Sequence, residues 1–327
     1  MSDRSSSPRG SEANRPRVLI IFPGALGDLI CLGPAMRALA RRHRDATIEL
    51  MARDELARFA IGRMGVARGH SIERREVSLL FSEAPDAPAR AGEFFAGFAY
   101  IYSFFGADSA TCRRVLAEAC PGVVGFYPFR RTDFGEGEQH VASAYLQSLG
   151  EAAEPLEVRI DLRAEDIEAA SMTLTRHRLE ASNFILLMPG SGSPKKNWPA
   201  ERFIELAGLL PRARPAAIIL GPAEAGWNRF FADRGIPVLQ GLELGEVAAI
   251  ARIAAAFVGN DSGISHLAAA VGTPGVVLFG PTDARRWRPL GKVKVISRSP
   301  LRDLQAREVA QALTAIEPGL AASGIRA

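Results

Sequence analysis

Short runs of β-branched and aromatic residues, each followed by a turn and then a helix-like stretch, recur along this chain and fix its fold class. RVLIIF (17–22) is the first, an unbroken apolar run of the kind buried on both faces of a parallel sheet. TIELMA (47–52), AYIYSF (99–104) and GVVGF (122–126) repeat it, with helices expected from Asp54 and near Asp108. Strand, helix, strand in series implies right-handed crossovers and an open α/β sheet. The alternation pauses in GEAAEPLEV, whose small and acidic residues from Gly150 to Pro155 suit a linker, and then restarts. FILLMP (184–189), AAIILG (216–221), IPVLQG (236–241), AAFVGN (255–260) and GVVLFG (275–280) are five further strand candidates. Two doubly wound parallel sheets are expected, with ligands in a cleft at the carboxyl ends of their strands.

At 327 residues the chain can bury two cores. The expected division is a polar, disordered tail over 1–16, a first α/β domain over 17–155 and a second over 156–327. An apolar fraction of 47% beside 23% charged residues is that of a soluble globular protein. Lysine and arginine number 40 against 36 acids, with the arginines scattered, so no nucleic-acid partner is expected. The longest apolar stretch, Val18 to Met36, is broken by Pro23, Gly24, Gly27, Asp28 and Pro34 and cannot be an uninterrupted membrane-spanning helix. Cys31, Cys112 and Cys120 are too few and too irregularly spaced for a disulfide framework or a zinc site, which implies a reducing, cytoplasmic setting.

Three loops hold the chemistry. FPGALGDL (22–29) places one acid, Asp28, beside Gly24 and Gly27, ahead of a helix expected to run to about Arg44. MPGSGSPKKNWP (188–199) sets two glycines, two serines and two lysines between a buried strand and a helix opened by Pro199. Its spacing is neither a P-loop nor a dinucleotide fingerprint. Composition leaves two readings open, a phosphate loop or a solvated turn in which Lys195 and Lys196 face water, and Trp198 is equally a core plug or a ligand platform. In FVGNDSGISHLAAAVGTPGVVLFGPTD (257–283), Asp261 or Ser262 can cap a helix whose first free amides belong to Ser262, Gly263 and Ile264, with His266 one turn inside. A diphosphate there would meet amides, a hydroxyl and, if protonated, an imidazole. The plain alternatives are an N-cap and a core histidine. Gly259 and Gly263 permit close approach, and Gly280, Thr282 and Asp283 sit on the neighbouring loop.

PGALGD near the start, PGSGSPKKNWP after the linker, and NDSGISHLAAAVGTP followed by FGPTD resemble the ADP-heptose:lipopolysaccharide heptosyltransferases, glycosyltransferase family 9. The resemblance runs from about Arg17 to the end of the chain. It implies a GT-B architecture of two Rossmann-like doubly wound domains facing a cleft, the first binding the acceptor and the second the nucleotide sugar. It implies inverting transfer of a heptose or related sugar from an ADP-sugar donor to a lipopolysaccharide-core-like or other glycan or glycolipid acceptor. By this resemblance Asp28 is the catalytic base and Lys196 contacts the diphosphate. Asp261, Ser262, Gly263 and His266 form the donor site, Glu224 in GPAE meets the ribose hydroxyls, and Gly24, Gly27, Ser191, Gly192 and Ser193 line the substrates. The chemistry agrees, since transfer needs a group to take the acceptor's proton and another to hold the departing charge. No two aspartates stand two positions apart, so the D-x-D cation clamp is missing from the sequence and neither a metal nor another cofactor is expected.

Rival readings are constrained unequally. A dinucleotide-dependent dehydrogenase needs GxGxxG, which PGALGD does not supply. A nucleotide-sugar binding protein without catalysis would keep the donor loops but has no use for Asp28. A GT-B transferase for another nucleotide or sugar is not separated by any residue of the sequence. On the acceptor side, RAGEFFAGFAYIYSFFG (90–106) is either core, the better reading, or a lipid-adjacent surface. Arg37, Arg41, Arg42 and Arg44, with Arg130 and Arg131, are candidates for phosphorylated sugars or for peripheral contact with the inner membrane surface, against a plain solvated face.

Overall fold

The computed structural model describes residues 15–129, 139–152 and 156–319. Most of the expected tail, Arg130 and Arg131, and the centre of the expected linker at 153–155 lie outside the described residues. Contacts gather the described residues into two compact units, one of 15–24, 35–129 and 148–151, the other of 25–34, 139–147, 152 and 156–319. The grouping is thus more than one cut near residue 155, because 25–34 and 139–147 pack with the second unit.

In the first unit, β1 (Arg17–Ile21), β2 (Thr47–Ala52), β3 (Arg68–Ser71), β4 (Tyr100–Ser103) and β5 (Val123–Phe126) form a parallel sheet of order β3-β2-β1-β4-β5. β1 is central because it is apolar on both faces, with Val18 beside Ile48 on one flank and Tyr100 on the other. The connecting helices are α1 (Leu26–Arg42), α2 (Asp54–Ala60), α3 (Arg75–Leu79), α4 (Ala87–Phe95) and α5 (Ala110–Ala119). Arg41 and Arg42 in the last turn of α1 suit its negative end, and Arg42 also donates to the Leu149 carbonyl and pairs with Glu151. That accounts for one arginine of the expected anion-binding group. The aromatic stretch 90–106 is core at Phe95, Phe98 and Phe104, all buried. The sequence pattern missed β3, because RGHS is a polar edge strand with no two-sided apolar demand.

The apolar reading of TIELMA also hid an acid. Glu49 is fully buried in β2, accepts from Arg17 Nε and Nη2 at 2.8 and 2.9 Å, and lies 2.7 Å from His70 Nε2. Burial by itself would raise its pKa, but the hydrogen bonds from Arg17 and His70 outweigh that and hold it at about 2.

The second unit carries β6 (Ile185–Met188), β7 (Ala216–Leu220), β8 (Val238–Gln240), β9 (Ala256–Asn260), β10 (Gly275–Phe279) and β11 (Val293–Ser297) in the order β11-β10-β9-β6-β7-β8, again all parallel. Its helices are α6 (Val141–Ser148), α7 (Ala164–Arg176), α8 (Ala200–Leu209), α9 (Asn228–Ala232), α10 (Leu244–Ile253), α11 (Gly263–Ala270), α12 (Ala284–Trp287) and α13 (Ala306–Ile316). β11 is the sixth strand, beyond the five expected, and VKVIS on the sheet edge carries Lys294 and Ser297 instead of running apolar throughout. In each sheet the strand order reverses once, between β1 and β4 and between β6 and β9. The crevice at the strand carboxyl ends there is where open α/β sheets take ligands. Among the described residues no helix is long and apolar enough to cross a membrane.

Candidate active site

The loop leaving β6 is held from below by one side chain. Asn260, fully buried at the end of β9, donates from Nδ2 to the Pro189 carbonyl at 2.7 Å and accepts from Trp198 N at 3.1 Å. Trp198 is a core plug rather than a ligand platform: its ring is fully buried and its Nε1 donates to the Leu304 carbonyl at 3.0 Å. Between these anchors the loop arches outward through Gly192, whose φ of +66° suits glycine. A single 3₁₀ turn, Pro194–Lys196, follows. The Ser191 hydroxyl donates to the Ser193 carbonyl at 2.8 Å and lies against the Asn197 side chain, which ties the arch internally.

Lys196 ends that turn with Nζ 2.8 Å from Asp261 Oδ2. Its side chain is 33% exposed while that of Asp261 is 7% exposed, so the lysine is the more accessible member of the pair. Lys195 is exposed. Glu224 lies buried in the 3₁₀ turn after β7, and its carboxylate packs so closely over Gly190 that a Cβ there would overlap it. The two stretches PGSG and GPAE, far apart in sequence, are thereby brought together at the carboxyl ends of the neighbouring strands β6 and β7.

Ser262, not Asp261, caps α11, accepting from Ser265 N at 3.4 Å, and the Ser265 hydroxyl in turn donates to the Asn260 carbonyl at 2.6 Å. Gly263 opens the helix under close constraint, because a Cβ there would stand 2.9 Å from Leu26 Cβ and 3.1 Å from Gly27 N. Reciprocally, a Cβ on Gly27 would meet His266 Cδ2 at 3.2 Å. The starts of α1 and α11 therefore meet at two glycines, and both positive helix ends lie in one region.

Asp28 sits half-buried in the first turn of α1 and accepts from Ala25 N at 3.0 Å through Oδ2. That bond is half of a capping box, which satisfies one of the helix's unpaired amides. One turn further, Cys31 is buried with Sγ 3.5 Å from His266 Nδ1. Burial, then the charges of Asp28 and Asp261, push its thiol far above the usual range, so it is a packing group and not a nucleophile. Burial likewise pushes His266 down to about 4, against the pull of Asp261. Of the two readings of His266, a core histidine or, if protonated, a diphosphate contact, the burial favours the first: the imidazole is neutral at pH 7, a post wedged between Gly27 and Cys31.

Not every expected residue joins this group. Gly24 is buried after β1 in the first unit. Asp283 caps the short helix α12 and pairs with Arg285, while Gly280 abuts the Lys195 carbonyl. Asn260 was missed: it stands directly before DSG, and a buried asparagine at a strand end looks in sequence like any turn residue. Cys31 was read only as a sign of redox setting.

Residues 137–316 match glycosyltransferase family 9 (heptosyltransferase). The chain belongs to that family. A lipopolysaccharide heptosyltransferase 1 of Escherichia coli K12 is 30% identical over 145 residues, 42% of this chain and 45% of the relative, so the match spans about half that relative's length. Among solved structures, the glycosyltransferase family 9 protein of Veillonella parvula DSM 2008 superposes with a TM-score of 0.76 at 18% identity, covering 93% of this chain and 97% of that one. The ADP-heptose lipopolysaccharide heptosyltransferase II of E. coli gives 0.73 at 20% identity, with 93% and 99% covered. Two parallel α/β units of this kind are the GT-B fold class that the sequence motifs implied.

Proposed function

We propose that this family 9 protein moves a sugar, a heptose or a close relative, from an ADP-sugar to a hydroxyl of a lipopolysaccharide-core-like or other glycan acceptor. The observation that carries the reading is the convergence, within one unit, of the Asp28 turn, the start of α11 and the Lys196–Asp261 pair. The freed amides at Ser262 and Gly263 and the accessible side chain of Lys196 supply an anion cradle for the diphosphate. Glu224 beside Gly190 stands in for the ribose contact, and the Ser191–Gly192–Ser193 arch closes the phosphate side. In the reaction the acceptor oxygen attacks the anomeric carbon while Asp28 takes its proton. The anomeric carbon–oxygen bond to the diphosphate breaks and the bonding pair leaves with ADP, so attack opposite the leaving group inverts the centre. Lysine and helix dipoles do the work of a metal in this scheme. The reading places the protein in the cytoplasm, approaching a membrane-borne acceptor without entering the bilayer.

The test is a thermal-shift panel of ADP-, UDP-, GDP- and TDP-sugars. A donor at a hundredfold excess over its dissociation constant stabilises the native state by about 2.7 kcal/mol. Selective stabilisation by ADP-heptose, with ADP released on adding a glycan acceptor, is the expected result. Stabilisation by a uridine or guanosine donor alone refutes the donor assignment.

A further inference from the structure

The stretch ARRWRPLGKVKVISRSPLR, residues 284–302, carries seven basic residues and no acidic one, in a chain where 40 basic residues face 36 acids. It runs through α12 into β11, which ends the strand order of the second sheet and so turns one edge outward. Lys292, Lys294 and Arg298 are exposed along that edge. They share one face of the strand, where Ile296 turns into the core and leaves the cations outside. At about 3.3 Å per residue the row is about 20 Å long. Arg288 precedes it and Arg302 follows it, both exposed.

A charged side chain on a strand edge ordinarily prevents stray pairing, and lysine is a common choice. That purpose does not explain this row. The edge strands β5 and β8 carry no charged residue at all, although Val123 on β5 is 63% exposed. On β3 the one arginine, Arg68, reaches Glu49 at 3.5 Å. Cations of other helices and loops sit opposite acids, as in Arg58–Asp54, Arg90–Asp86 and Arg159–Asp161. Of the three on the β11 edge only Arg298 does, through Glu308 at 2.8 Å. Among the described residues Arg288, Lys292, Lys294 and Arg302 make no ion pair; Asp303 follows Arg302 in sequence, and Asp283 pairs with Arg285.

We propose that the β11 edge docks on a bilayer surface carrying anionic head groups; the choice of a bilayer over another polyanion rests on the transferase reading above. Each lysine or arginine held near such a surface raises the partition about fivefold. A lone phosphate meets one or two cations of a row this long, whereas a sheet of head groups meets them together. Trp287 and Val293, half-buried in the same stretch, add a ring and methyls suited to the head-group boundary. The row also points the right way. Because β11 is parallel to β10, Arg298 and Arg302 stand at the carboxyl-end side of the sheet. A Cβ on Gly280 there would meet Leu301 at 3.3 Å and the Lys195 carbonyl at 3.6 Å, so the end of the row adjoins the Lys196 turn. Docking on this edge therefore holds the donor loops beside the surface that bears the acceptor.

Co-sedimentation of the full chain with vesicles tests this, with the thermal shift by ADP measured on the same samples. Vesicles of phosphatidylglycerol mixed with phosphatidylcholine are expected to carry the protein down, and pure phosphatidylcholine vesicles are not. Salt that cuts the Debye length from about 10 Å to about 3 Å should release it. The double variant Lys292→Gln with Lys294→Gln should lower the partition about 25-fold. Arg58→Gln with Arg90→Gln, at paired positions of the first unit, should change it less than about twofold. Both variants should keep the wild-type ADP shift. No binding to the anionic vesicles, equal binding to the neutral ones, unaltered partition in Lys292→Gln with Lys294→Gln, or tighter binding of a single-stranded RNA lost in that same variant would overturn the proposal. An absent ADP shift in wild type with vesicle binding retained would instead count against the donor reading.

Discussion

Replacing Asn260 by alanine should loosen the loop after β6 more than replacing any exposed residue of that loop could. Its amide ties the end of β9 to both ends of the arch, donating to the Pro189 carbonyl at 2.7 Å and accepting from Trp198 N at 3.1 Å. Alanine leaves one buried acceptor and one buried donor without that partner, at about 1–3 kcal/mol each, so a total near 2–6 kcal/mol is expected. That is a large share of a typical stability of about 5–15 kcal/mol. The measurement is clean because Trp198, Trp227 and Trp287, all three tryptophans of the chain, lie in the second unit. Urea unfolding followed by tryptophan fluorescence therefore reports that unit alone. Asn260→Asp is the control: its carboxylate can still accept from Trp198 N but faces the Pro189 carbonyl as a buried charge until protonated. Its native pKa would lie above its unfolded one, so the variant's stability should be greatest in acid and fall as pH rises through the native value. A midpoint shift in Asn260→Ala worth less than about 1 kcal/mol would show that water or backbone rearrangement replaces both bonds, and the anchoring argument would fail.

Three further outcomes are expected. Asp28→Asn should keep the fold and ADP binding but lower transfer by about 10²–10⁴-fold, measured as ADP release, and unchanged turnover would assign the base elsewhere. Because His266 titrates at about 4 instead of its ordinary 6.5, the unfolded chain binds more protons between those values; stability should therefore fall as pH drops from 6.5 toward 4, with the slope reduced in His266→Gln on urea titrations at each pH. Glu49, held at about 2 against an ordinary 4.5, contributes stability that is present above 4.5 and lost as pH falls toward 2; Glu49→Ala, which removes the acceptor of the two Arg17 bonds while water can still reach the 31%-exposed Arg17, should cost about 1–3 kcal/mol by circular dichroism.

The central strands of both sheets were legible in the sequence because burial on two faces demands uninterrupted apolar runs, as in RVLII and GVVLF. Edge strands escape that demand: GVVGF and IPVLQG are apolar enough to read as strands all the same, whereas RGHS and VKVIS carry charged and polar residues and were not seen. The site was legible as three loops, since glycine, serine and lysine clusters after strands announce anion chemistry. What could not be read was which of those residues face inward. His266 reads in sequence as a diphosphate contact and Cys31 as a sign of redox setting, yet burial against one another keeps the imidazole neutral and the thiol protonated. The roles of Asn260 and Glu49 depend on partners 62 and 32 positions away, a separation local pattern does not encode.

Residues 25–34 come early in the chain but rest on Gly263, His266 and Val158. Any attempt to dissect the protein at its apparent seam would therefore strip the later half of a surface it was built against, baring Gly263, Val158 and the His266 imidazole to water. A recombinant piece beginning after the seam should be poorly soluble and indifferent to nucleotide unless the early decapeptide is grafted back, so modular shuffling of halves between relatives must carry that stretch along with the unit it touches.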